Sequence, residues 1–237
     1  MVQLLQSNLP LLMLFLTCRL PKVSHANTLK IFLSGCVSDY RKLNEETVFA
    51  GKYRSIVRRD ILMPDNLTIA HFDVLHQTHE SVGVFVWDTA TCTATLVEEY
   101  HPGIESMMIG TVAGMFEPEK HSSALQCAQF ELEEEAQLQS HRWIPLLRDE
   151  RTSTPFDKYS NNRMHPFLAL DCSPVASPRS MDPEESIALL RGVSYTELMR
   201  LIDAGAINAL SSYTILMGIR KLRELGIPLN KSQKDDL

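Results

Sequence analysis

The stretch Phe130-Glu131-Leu132-Glu133-Glu134-Glu135-Ala136-Gln137-Leu138 decides how this chain is read, because four carboxylates crowd into five consecutive positions. It follows Ala124, Leu125 and Ala128, and the spacing of these apolar residues predicts a helix through the whole segment. On a helix Glu131, Glu134 and Glu135 stand at i, i+3 and i+4, within about 100° of arc on one face. Like charges at that spacing repel, so helix stability alone does not gather them. A divalent cation turns the repulsion into binding, since hard cations such as Mg²⁺ take oxygen ligands. The alternative is a solvated acidic face.

The surroundings of the run have a consistent anatomy. Ser122 or Ser123 can cap the helix start by accepting a backbone N–H. Ala124, Leu125, Ala128, Leu132 and Ala136 form an apolar stripe that packs on a sheet, which leaves the carboxylates at the rim of a cleft. Strands are expected upstream, over 48–57 and 67–75, then as a hairpin over 81–87 and 93–97 turned by Asp88-Thr89-Ala90-Thr91. Downstream, 143–147 and 167–170 read as strands separated by a long polar loop over 148–166. The C-terminal third reads as helical. Ser194-Tyr195-Thr196-Glu197 is a capping box, Gly205 breaks that helix, and a second runs from Ser211 through Leu225 to Gly226 and Pro228.

The 237 residues suit one domain, over 45–228, with a leader over 1–44 and a flexible tail over 229–237. A 44% hydrophobic and 22% charged composition is that of a soluble globular chain. The net charge of -6 argues against a nucleic-acid surface and fits an acidic site that faces a cation. Cysteines 18, 36, 92, 127 and 172 are scattered and odd in number, as expected of reduced thiols in a cytoplasmic protein. The apolar run 9–18 is too short to span a bilayer, so no membrane association is expected. Secretion or organelle targeting through that run is the alternative location. His25, His71, His76, His79 and His101 lack metal-ligand spacing and read as structural.

From Gly114 to Leu138 the chain resembles the box of the Nudix hydrolases: a glycine, a loop, then Arg-Glu-aliphatic-any-Glu-Glu-any-Gly-aliphatic on a helix. Glu131, Glu134, Glu135, Leu132 and Leu138 match. Phe130 stands for the arginine, Gln137 for the glycine, and the loop is longer by two residues. Phe49-Ala50-Gly51-Lys52-Tyr53 and Glu99-Tyr100-His101-Pro102 are similar to segments of the ADP-ribose and ADP-sugar pyrophosphatase branch. The resemblance implies an α+β Nudix fold, an α/β/α sandwich around a mixed sheet, with an N-terminal strand extension and C-terminal helices. It implies Mg²⁺ or Mn²⁺ held by Glu131, Glu134 and Glu135, with the Ala113 carbonyl as a further ligand. Glu134, Glu150 or Asp157 would serve as catalytic acid or base, and Tyr100 and His101 would contact the substrate. That substrate would be a nucleotide-sugar or ADP-ribose, and the protein a homodimer. The rival reading is a Nudix-fold module that binds a nucleotide or a protein partner without catalysis.

Overall fold

The computed structural model describes residues 39–52, 54–180 and 186–231. The apolar run 9–18, His25, Cys18, Cys36, Tyr53 and the last residues of the expected tail lie outside these. The described chain opens with an antiparallel meander of β1 (Arg41–Ala50), β2 (Ser55–Leu62) and β3 (Ile69–His76), which form a separate three-stranded sheet. The single strand expected over 48–57 is therefore two strands. The chain turns at Gly51, whose N–H donates to the Arg54 carbonyl at 2.8 Å. β1 begins at Arg41, ahead of the expected end of the leader.

The second sheet is built on the hairpin of β4 (Glu80–Asp88) and β5 (Thr93–His101). Asp88 Oδ1 accepts the Thr91 N–H at 2.6 Å and closes the expected turn. β6 (Ser106–Gly110), β7 (Val112–Phe116), α1 (Ala124–Ala136), β8 (Leu138–Gln139), β9 (Arg142–Pro145) and β10 (Thr154–Pro155) follow. β11 (Arg163–Leu170), β12 (Ser173–Pro174), β13 (Ala188–Ser194), α2 (Tyr195–Asp203) and α3 (Ala209–Glu224) complete the described chain. The sheet order is β10-β11-β4-β5-β13, with β6 on β5, β7 on β4 and β9 on β11. β11 runs parallel to β4 and the remaining pairs are antiparallel, so the sheet is mixed. β4 changes partner along its length: residues 80–84 face β7 and residues 86–88 face β5.

Alternation along β4 sorts the core into two layers. Val82, Val84 and Val86 pack toward α1, where Ala124, Ala128, Leu132 and Ala136 of the expected stripe are buried, Leu125 is only partly so, and Cys127 joins them. Phe85 and Trp87 pack on the other side, against Leu198 of α2 and Ile215, Ile219 and Leu222 of α3. Helices therefore cover both faces of the sheet. Each fully buried valine, leucine, isoleucine or phenylalanine among these contributes about 1.5–3 kcal/mol of hydrophobic stabilisation. Leu229, placed by the sequence reading in the tail, is buried in the second layer.

Three details depart from the sequence reading. Residues 188–194 form β13, an edge strand on β5, where only helices were expected. β11 starts at Arg163 rather than at residue 167, because Pro166 sits within the strand opposite Gly83 while its carbonyl accepts the Leu146 N–H at 2.9 Å. A proline inside a strand reads as a breaker, which hid the first half of β11. α3 opens two residues ahead of Ser211, since Asn208 Oδ1 caps it by accepting the Ser211 N–H at 2.9 Å. Among the described residues no helix is long and apolar enough to cross a membrane.

Candidate active site

The acidic helix starts where Ser123 Oγ accepts the Gln126 N–H at 3.1 Å and ends at Gln137, which adopts a left-handed conformation (φ 55°). A glycine is favoured there, and Gln137 carries the strain that the family glycine avoids. α1 lies over β7, and its Glu131 and Glu135 reach Gly114 and Ala113. A Cβ at position 114 would stand 1.8 Å from Glu131 Oε1, so the Glu131 carboxylate occupies the space that a side chain would fill. Glu135 is 7% exposed, and its Oε2 accepts the Ala113 N–H at 3.2 Å. Glu131 and Glu134 line an open cleft of about 1290 Å³ together with Ala113, Gly114 and Glu117. Beneath them Cys127 is buried and donates to the Met115 carbonyl at 3.4 Å. Burial, then the charges of Glu131, Glu134 and Glu117, push its thiol far above the ordinary range, so it is no nucleophile. Cys92, Cys127 and Cys172 are all free thiols.

The donor chemistry at Ala113, Glu131, Glu134 and Glu135 is all oxygen, which suits Mg²⁺ or Mn²⁺. Among the described residues no group of three or more His, Cys, Asp or Glu is arranged to hold a metal ion.

Phe130 does not stand alone in the place of the family arginine. Arg179, from the segment after β12, lays its guanidinium 3.5 Å above the Phe130 ring, and its Nε is 3.6 Å from Glu133 Oε2. His121 meets the same ring edge-on at 5.6 Å between centroids and accepts the Glu117 N–H on Nδ1 at 3.2 Å. Burial is the main cause that holds the His121 pKa below its usual value. Phe116 is stacked at a tilt on His121 and meets His165 edge-on at 6.1 Å, and His165 Nε2 bonds Glu80 Oε2 at 2.6 Å. A row of rings thus ties α1 to the 117–123 loop, to β7 and to β11.

The remaining expected residues are dispersed. His101 lines the cleft and bonds Glu99 Oε1 at 3.2 Å, but Tyr100 is 56% exposed on a shallow outer hollow of about 300 Å³. Glu150 and Asp157 are exposed on the long loop and neither lines the cleft. The backbone carbonyl of Glu150 pairs with His165 Nδ1 at 3.1 Å, and Asp157 Oδ1 accepts the Tyr159 N–H at 2.6 Å. That loop is pinned to the first sheet instead: Asn161 brackets the backbone of Gln77, and Leu75 bonds Tyr159 O and Asn161 N. Several cleft residues went unread in the sequence, among them Arg54, Gln77, Ser81, Arg179 and the first turn of α3. Ser211 from that turn accepts the Thr111 N–H at 3.0 Å and fixes the β6–β7 junction. Asn208 was a legible cap; the others carry no motif.

No protein-family model matches the chain, and no curated protein matches it. Solved structures do. One is the crystal structure of an ADP compounds hydrolase, similar at a TM-score of 0.68 and 19% identity over 82% of this chain and 100% of that one. The fold is Nudix-like. The β7–α1 pair, with Gly114 open to Glu131, occupies residues 112–136.

Proposed function

We propose that the protein is a metal-dependent hydrolase of the pyrophosphate bond in a nucleoside diphosphate joined to another moiety. ADP-ribose, an ADP-sugar or another nucleotide-sugar would be cleaved to AMP (or another nucleoside monophosphate) and a sugar phosphate. The observation that carries this reading is the gathering of Glu131 and Glu135 on the Ala113–Gly114 backbone beside a large cleft. The ADP compounds hydrolase of the same fold supports the substrate class. Glu131, Glu134 and Glu135, with the Ala113 carbonyl, would hold Mg²⁺ or Mn²⁺. When bound, such a cation supplies Lewis acidity toward the diphosphate and a more acidic water. The Ala113 N–H keeps Glu135 in one orientation, and Gly114 lets Glu131 reach the strand. Glu134 lies on the cleft wall, where it can take the proton of the attacking water; Glu150 and Asp157 lie off that wall. Arg54, Lys120 and Arg179 line the cleft and favour an anionic substrate.

The second reading, a module that binds a nucleotide or a protein partner without turnover, is favoured by Phe130 and Gln137, which stand where the resembling box has its arginine and glycine. A panel of ADP-ribose, ADP-glucose and UDP-glucose, assayed with Mg²⁺ for nucleoside monophosphate release, separates the two. Turnover of at least one supports the hydrolase. Metal-independent binding of these nucleotides without any product supports the module. We also propose a homodimer through the first sheet, whose Leu43, Val48, Phe49 and Ile69 are exposed. Sedimentation should give a dimer for the wild type and a monomer for Phe49→Asp.

A further inference from the structure

Arg179 lines the cleft together with Phe130, Glu131 and Glu134, and its side chain is 44% exposed. Two contacts fix where its guanidinium lies. The central carbon stands 3.5 Å from the centroid of the Phe130 ring, and Nε lies 3.6 Å from Glu133 Oε2. The first contact uses the flat face of the group and the second uses its Nε side. A guanidinium carries its five N–H donors in its own plane, so neither contact consumes the edge where Nη1 and Nη2 form a fork. Among the described residues nothing accepts a hydrogen bond from that fork. Phe130 and Glu134 stand at i and i+4 on α1, neighbours on one helix face. The guanidinium is therefore held beside the carboxylates assigned to the metal. Lys120, on the same cleft, is bound to Glu117 at 2.8 Å instead.

We propose that Arg179 binds the diphosphate of the substrate directly through Nη1 and Nη2, and that Phe130 is the platform that holds it there. The inference rests on the hydrolase reading above and adds to it a substrate-binding residue. Two phosphate oxygens match the fork with parallel N–H···O bonds, the geometry in which a guanidinium binds an oxyanion most strongly. An arginine paired fork-to-fork with a helix glutamate would have those donors spent on the carboxylate. One laid over a ring keeps them for a ligand. The ring contact also restricts a long side chain before the substrate arrives, which lowers the ordering cost of binding.

The test compares wild type, Arg179→Met and Arg179→Lys, each with Mg²⁺. Two quantities are measured: kcat and KM for ADP-ribose, and Kd for α,β-methylene-ADP, a diphosphate that is not cleaved. Arg179→Met keeps an unbranched stem over Phe130 but has no donors. It should raise KM and Kd by about 10–100-fold, the effect of losing hydrogen bonds to a charged group. Its kcat should fall by at most about tenfold, since α1 is only loosened. Arg179→Lys keeps the charge without the planar fork and should recover only part of the affinity, which preserves the test if the methionine variant does not fold. KM and Kd equal to wild type in both variants, with or without a fall in kcat, overturn the inference and leave the hydrolase reading standing. A wild type that does not bind the methylene compound overturns it as well. No turnover of ADP-ribose by the wild type would overturn the hydrolase reading, and the Kd comparison would then decide the inference alone.

Discussion

The two faces of the central sheet come from one alternation along β4, yet they are built for different purposes. On the α2–α3 face Phe85 and Trp87 meet Leu198, Ile215, Ile219 and Leu222, large side chains at full burial. On the α1 face the helix stripe is mostly small, with Ala124, Cys127, Ala128 and Ala136 around Leu132. Both faces use a glycine for a close approach. Gly218 in α3 admits the Phe85 ring, with its hypothetical Cβ 2.3 Å from Phe85 Cδ1, whereas Gly114 in β7 admits the carboxylate of Glu131. Large residues on one side give the domain its stability. Small residues on the other let an acidic helix sit close enough for its carboxylates to touch a strand.

The sharpest way to break this contrast is to close the two glycine gaps separately. Gly114→Ala should lower turnover by about 100-fold or more, because misplacing a reacting group by about 1 Å costs that much. Thermal unfolding should shift far less, since Glu131 can swing toward the cleft. Gly218→Ala should do the reverse: overpacking against Phe85 costs about 1–3 kcal/mol of stability, while turnover measured below the melting transition is retained. Comparable losses of activity in both variants would contradict the division of labour.

Arg179 offers a finer test of the α1 face. A partly exposed cation–π contact contributes about 0.5–1 kcal/mol and an exposed ion pair about 0–1 kcal/mol. Arg179→Ala should therefore reduce turnover by at most about tenfold through a loosened α1. Phe130→Arg in that background should recover part of the loss, measured as kcat against KM. No recovery would mean that a guanidinium on the helix cannot stand in for one laid across it.

The smallest expected effect is a pH dependence at His121. Burial holds its folded pKa below the unfolded value of about 6.5, so the unfolded chain binds the proton more readily. Its contribution to stability is complete above about pH 6.5 and declines as the pH falls below it. His121→Gln should flatten the loss of melting temperature between pH 7 and pH 5; an unchanged slope would remove the ring row from the pH response.

What the sequence made legible was local. The hairpin turn at Asp88, the Ser123 cap, the Ala-rich stripe and the capping box at Ser194 each rest on residues within a few positions of one another. These signals sufficed for a mixed α+β fold and for the acidic helix that lies over β7. What stayed hidden depends on long-range placement. Pro166 masks a strand because its missing N–H is harmless only in this pairing. Arg179 follows a stretch with prolines at 174 and 178, and nothing there announces a partner at Phe130. Gln77 gains meaning only once Asn161, far along the chain, clamps it into the cleft wall.

The most direct test of the central claim is AMP release from ADP-ribose by wild type and Glu135→Gln, each with Mg²⁺ and with a chelator. The amide oxygen can still accept the Ala113 N–H, so the variant should fold as the wild type does. The account predicts AMP only with wild type and metal, and a drop of about 100-fold or more in the variant. Equal AMP release by the two proteins, or release that ignores the chelator, would contradict it.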